Sequence, residues 1–236
     1  MLVAGVDGTK KGWVAVVLDG QTVSAFGASK IEDVLEELSG ADAIAVDVPI
    51  GFLDEGQRGG RACEQLARKH LKGRASSVFS SPVRGALSAE TWEEARRLNR
   101  ESSPHSRDLS AQSLALFSKI MEVDAVFSKQ PALQDKVFET HPEVAFSVMA
   151  KTLGRGSPRP KTWFLGMWER LEMLESEGLT VGEFLKNPRS LGAVDNDILD
   201  AAACAWTARR RALGQAFCLP EQPPIDARGL RMEMWI

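Results

Sequence analysis

Two hydrophobic periods run along this chain, and the points where one gives way to the other predict its elements. Leu2 to Val6, Gly12 to Leu18 and Thr22 to Phe26 are short apolar runs of strand length. Asp19-Gly20 lies between the last two, and this dipeptide favours the tight turn of a hairpin. Asp7 to Gly12 turns the first run into the second, so a three-stranded antiparallel meander is expected. The period then changes. Ile31, Val34, Leu35 and Leu38 recur at spacings of three and four, which is one face of a helix over Lys30 to Leu38. Ser29 is expected to cap its start, and Gly40 lies beyond its end. Ala43 to Val48 is apolar except for Asp47. Such a run after a helix is expected to be a parallel strand buried on both faces. A right-handed crossover puts it beside the first strand.

From Pro49 to Gln134 glycines and prolines punctuate the pattern, and helical spacing recurs at Arg61 to Lys72, Ala89 to Asn99 and Ser110 to Val123. Residues 51–135 are expected to be a helical insertion within one domain spanning residues 1–236. Lys136 to Phe138 predicts a short strand leading into Glu139-Thr140-His141. Pro142 to Met149 predicts a helix, because proline suits a first turn. Gly154 to Lys161 is a basic loop rich in glycine and proline. Thr162 to Ser176 is helical in spacing, with Trp163, Leu165, Met167 and Trp168. Asp195 to Leu213 is the clearest late helix, with Asp195, Asn196 and Asp197 as caps and an alanine-rich stripe behind them. The tail ends in the short run Met232 to Ile236. The expected class is α/β: a mixed sheet of three antiparallel strands plus parallel strands, flanked by helices.

Composition narrows the function more than the fold. With 44% hydrophobic and 26% charged residues, the 236-residue chain has the makeup of a globular protein. No run approaches the ~18 apolar residues of a membrane span, so no membrane partner is expected. The net charge of −3 argues against a broad basic face for nucleic acid. A polyanion would have to be held locally or through metal. Cys63, Cys204 and Cys218 lack C-x-x-C spacing and suggest neither a disulfide framework nor a zinc site. The apolar opening before Asp7, Lys10 and Lys11 is too short for a signal peptide, and a cytoplasmic location is expected.

The candidate chemistry is acidic. Asp7 and Asp47 each end an apolar run. On neighbouring parallel strands both carboxylates would lie at the C-terminal sheet edge, where open α/β sheets bind ligands. Close, unpaired carboxylates repel, and a divalent cation such as Mg²⁺ or Mn²⁺ removes the conflict. Asp197 and Asp200 share one helix face, and Glu139 sits between a strand and a helix. The same acids also fit turn caps and first-turn acids favoured by the helix dipole. Lys10 and Lys11 fit a phosphate contact or a solvated turn. Arg61 and Glu64 are spaced as a helical pair. Arg61 and Arg84 in the insertion, and Arg155, Arg159 and Lys161 in the late loop, suit phosphate contacts or solvated faces. His141, beside Glu139, is the histidine nearest this chemistry.

The motifs GVDGTKKGWV (Gly5 to Val14), AVDVPIGF (Ala45 to Phe52), RACEQLAR (Arg61 to Arg68), SSVFSSPVR (Ser76 to Arg84), ETHPEVAF (Glu139 to Phe146) and DNDILDAAACAWTA (Asp195 to Ala208) together resemble the DUF429 family, predicted nucleases of ribonuclease-H-like fold. The terminal RGLRMEMWI is similar to that family's end. The resemblance implies a ribonuclease-H-like sheet and a metal-dependent phosphodiesterase or nuclease acting on nucleic acid or another phosphoester. It implies Asp7, Asp47, Glu139, Asp197 and Asp200 as catalytic acids, with Asp7, Asp47, Asp200 and Glu139 as metal ligands. Asp195 and Asp197 are alternative equivalents of one family acid. Two cations about 4 Å apart would stabilise both attacking and leaving oxygens. Lys10, Lys11, Arg61, Glu64, Arg84 and His141 would contact substrate. Two other readings share the core: a non-catalytic nucleic-acid or nucleotide binding module, and an ATP-dependent phosphotransferase, since Asp7-Gly8-Thr9 is similar to the phosphate hairpin of actin-like and sugar-kinase proteins. A homo-oligomer is compatible with either.

Overall fold

The first three apolar runs pair as the expected meander in the computed structural model, which describes residues 1–236. β1 (Leu2–Thr9), β2 (Gly12–Asp19) and β3 (Thr22–Ala28) are antiparallel neighbours. β1 runs past its apolar stretch, because Asp7 pairs with Val14 and Gly8 with Trp13 in the ladder to β2. The hairpin turn is thus only Lys10-Lys11. Thr9 Oγ1 holds it by accepting from the backbone N–H groups of Lys11 (3.3 Å) and Gly12 (3.1 Å). α1 (Ile31–Glu37) follows, and the extended residue before it is Lys30 rather than the expected Ser29. β4 (Ala43–Val46) pairs parallel to β1.

The intervening segment carries α2 (Ala62–Arg68), α3 (Trp92–Glu101) and α4 (Ala111–Lys129). α2 stops short of Lys72, and the residues after it form turns. α4 outruns the expected Val123, since Val126 and Phe127 continue its buried stripe. Next come β5 (Val137–Glu139), α5 (Pro142–Thr152), α6 (Phe164–Ser176) and α7 (Asp195–Ala212). A short strand pair closes the chain, β6 (Cys218–Leu219) with β7 (Met234–Trp235). No helix is long and apolar enough to cross a membrane.

The main sheet has the order β3-β2-β1-β4-β5, with β1, β4 and β5 parallel. This mixed sheet with its helices is the arrangement expected of a ribonuclease-H-like core. Alternation along the strands turns Val3 of β1, Val14, Val16 and Leu18 of β2, Ala43 and Ala45 of β4 and Phe138 of β5 to one face. There they share a core with α5, α6 and α7. Fully burying one such Val, Leu or Phe side chain is worth roughly 1.5–3 kcal/mol, so this layer is the main source of cohesion.

The chain forms two compact units. One holds Met1–Asp47, Lys136–Phe217 and Trp235–Ile236. The other holds Val48–Asp135 together with Cys218–Met234. Within this second unit Asp226, from the tail, accepts from the backbone N–H groups of Phe52 (3.1 Å) and Leu230 (2.9 Å) and pairs with Arg84. Arg84 also pairs with Asp124 and lies over the Phe52 ring. A tail segment thereby completes the insertion through buried charge.

Candidate functional site

The acids meet because of register. Val6 of β1 is paired with Val46 of β4, and the Asp47 N–H continues the ladder to the Val6 carbonyl at 3.0 Å. Asp7 and Asp47 are therefore side by side at the C-terminal edge of two parallel strands. By alternation they face the layer that holds Val3, Gly5, Ala43 and Ala45, which α7 covers. Gly5 explains how closely α7 lies. A Cβ at this position would overlap the Ala205 nitrogen and the Ala201 carbonyl oxygen. With no side chain at Gly5, and with Ala201, Ala202 and Ala205 on the helix, the first turns of α7 lie low enough to bring Asp200 to the two strand acids.

Electrostatics records that proximity. Burial, and then the charges of Asp47, Asp200 and Asp197, hold the Asp7 carboxyl well above the ordinary carboxylate range, with Lys161 opposing them. Burial pushes Asp47 up to about 6, and Asp200 adds to this, while His141 and Lys161 pull the other way. Asp7 Oδ1 also accepts from the Gly8 N–H at 2.8 Å. Asp197 has a second task. Its carboxylate accepts the Val194 N–H at 3.0 Å and so closes the start of α7. Burial nevertheless raises its pKa, and Asp200 adds to that. Of the two alternative equivalents, it is Asp197 whose charge acts on Asp7.

Lys161 was legible in the sequence only as part of a basic loop, and here it is the cation of the cluster. Its Nζ lies 2.5 Å from Asp200 Oδ2. Burial works against the ammonium, but Asp200, Asp47 and Asp7 outweigh it and hold the group above the ordinary lysine value. The other oxygen, Asp200 Oδ1, is buried with no hydrogen-bond partner.

The remaining sequence candidates are distributed as follows. His141 is the extended residue preceding α5, and its charge acts on Asp47. Glu143, two residues on, acts on Asp47 too and is paired with the fully buried Arg170 at 2.7 Å. Glu139 is buried at the end of β5 and is paired in register with Val46. Alternation therefore turns it away from the face of Phe138, Ala45 and Asp47, and it is not among the strongest charges on Asp7 or Asp47. Lys10 and Lys11 are exposed at the β1–β2 turn. Arg61 and Glu64 form a buried ion pair at 2.7 Å in the second unit. Arg61 also donates to the carbonyls of Ile50 and Gly51, and Glu64 accepts from Ser81. Arg84 is held by Asp124 and Asp226.

A hard divalent cation fits the chemistry of Asp7, Asp47 and Asp200: oxygen donors, like charges crowded together, and one orphaned acceptor. The side chains do not already converge as a closed ligand set of three or more acidic, histidine or cysteine groups. Lys161 meets part of their charge instead. Beside Lys161, the start of α6 leaves Trp163, Phe164, Leu165 and Trp168 exposed, with the Phe164 and Trp168 rings stacked. No curated protein and no solved structure matches the chain. The family model described as protein of unknown function DUF429 matches residues 5–225, nearly the whole chain, and the protein belongs to that family.

Proposed function

We propose that this protein is a phosphodiesterase that uses Mg²⁺ or Mn²⁺ bound by Asp7, Asp47 and Asp200. The observation that carries this reading is the set of buried carboxylates crowded at the C-terminal edge of adjacent parallel strands, with one ammonium for counter-charge. Keeping such groups protonated or mutually repelled is costly, and it is tolerated where a cation is to be bound. When bound, the cation polarises the phosphoryl oxygen and lowers the pKa of a water. Asp7 on β1 and Asp47 immediately after β4 would supply oxygen ligands from fixed positions at the sheet edge. Asp197 orients the first turn of α7 and thereby Asp200. His141 is the titratable group on hand for proton transfer to the leaving oxygen.

The exposed rings of Trp163, Phe164 and Trp168 favour a nucleic-acid strand over a small phosphoester, because unpaired bases stack on aromatic faces. The test is Mn²⁺-dependent hydrolysis of bis(p-nitrophenyl) phosphate and of a single-stranded oligonucleotide. Asp7→Asn should reduce both to background while the thermal unfolding transition persists. Full activity in that variant would refute the proposal. Trp168→Ala should weaken oligonucleotide cleavage about tenfold and leave the small diester unaffected. One observation favours a second reading: Lys161 already neutralises Asp200. On that reading the protein is a non-catalytic binding module, and it would bind the oligonucleotide without ever cleaving it.

A further inference from the structure

We propose that Lys161 is a resident counter-ion that occupies the cation position at Asp200 and is exchanged for the incoming divalent ion. This inference rests on the metal reading above and adds the step by which the site is loaded. Three observations carry it. The Lys161 ammonium contacts Asp200 Oδ2 at 2.5 Å, and its charge also acts on Asp47 and Asp7. It is thus a cation shared by the carboxylates proposed as ligands. Asp200 Oδ1 remains buried without a hydrogen-bond partner, so the lysine satisfies only half of this carboxylate. One ammonium is a point donor and cannot bridge crowded carboxylates as a divalent ion with several oxygen ligands does.

The exchange needs only a side-chain rotation. The backbone before Lys161 is held to α6, and a turn closes across the lysine itself. Arg170 donates to the carbonyls of Arg159 (2.8 Å) and Gly166 (2.7 Å), the Arg159 N–H donates to Glu169 (2.7 Å), and the Trp163 N–H donates to the Pro160 carbonyl (3.0 Å). The lysine side chain is itself 39% exposed, so the ammonium has a short path from Asp200 to solvent. Asp200, with a side-chain exposure of 6%, cannot follow it. The lysine therefore leaves while the carboxylate stays. Asp200 is competent for metal only while the lysine is away, so the apparent metal affinity falls by the competent fraction.

Two measurements test this. Calorimetric titration with MnCl₂ compares the whole protein with Lys161→Met and with Lys161→Gln, the second guarding against a folding defect in the first. Removal of the ammonium should tighten Mn²⁺ binding about tenfold or more, as when the paired state occupies about 90% of molecules. Amine labelling with acetic anhydride, read by mass spectrometry, needs no variant. Lys161 should be protected without metal and gain label several-fold with Mn²⁺, while exposed Lys129 stays constant. Equal Mn²⁺ affinity with and without Lys161, in a site abolished by Asp7→Asn, would overturn this inference and leave the metal reading intact. Unchanged labelling of Lys161 in the Mn²⁺-bound protein would do the same. Absence of Mn²⁺ binding in all of these proteins would overturn both.

Discussion

Replacing Asp47 by asparagine should stabilise the metal-free protein at neutral and alkaline pH, although it removes a proposed ligand. Burial raises the folded Asp47 carboxyl from 3.8 to about 6. In the unfolded chain the group loses its proton near the ordinary value. Between those two pH values the folded state binds more protons than the unfolded one, so stability falls as pH rises. Below about pH 4 the group is protonated in both states and carries no penalty, and above about pH 6 the penalty is complete. A shift of about two units corresponds to about 3 kcal/mol at 1.36 kcal/mol per unit. The neighbouring Asp200 and Lys161 share that charge, so about 1.5–3 kcal/mol is expected for Asp47 alone. Asparagine keeps the shape without the charge. Urea unfolding in EDTA should therefore show Asp47→Asn more stable than the parent by that amount at pH 8, with the gap closing towards pH 4.5. For a chain of this length the gain is about 3–12 °C in melting temperature. Adding Mn²⁺ should raise the parent and leave the variant unmoved. A variant no more stable than the parent at pH 8, or a difference independent of pH, would refute the electrostatic reasoning.

Two further perturbations probe what holds the site in place. Gly5→Val drives a side chain into the Ala205 nitrogen and the Ala201 carbonyl. It should cost about 3 kcal/mol or more and abolish the Mn²⁺-dependent rise in melting temperature, because α7 and Asp200 must shift. A parent-like melt would show that the helix does not rest on β1. Arg170→Met strands Glu143 in the core and frees two carbonyls. About 3–5 kcal/mol should be lost in chemical denaturation, with part of it recovered by Arg170→Met combined with Glu143→Gln. A strictly additive double variant would show that the two charges are not coupled.

The chain's own pattern determined most of the sheet. Short apolar runs and turn residues mark β1 to β3. The switch to helical spacing marks α1, and the unbroken run around Ala45 marks a buried parallel strand. These signals are local, carried by side-chain period and backbone preference within a few residues. The same locality exposed Asp7 and Asp47, since an acid at the end of a buried run contradicts the run. Tertiary structure decided the rest, because charge pairing is a matter of distance in space. Lys161 reads as part of a basic loop and Arg84 as part of the insertion's positive charge, yet one ends at Asp200, 39 residues away, and the other between Asp124 and Asp226. Arg61 and Glu64 show their helical spacing in the sequence, but not that their pair is buried against the Ile50 and Gly51 carbonyls. Glu139 shows its position at a strand end, but not the register that turns it from the Asp47 face. A one-residue difference in register inverts a side chain's face. Which acids share a site therefore depends on how strands pair across the sheet, and no local pattern encodes that.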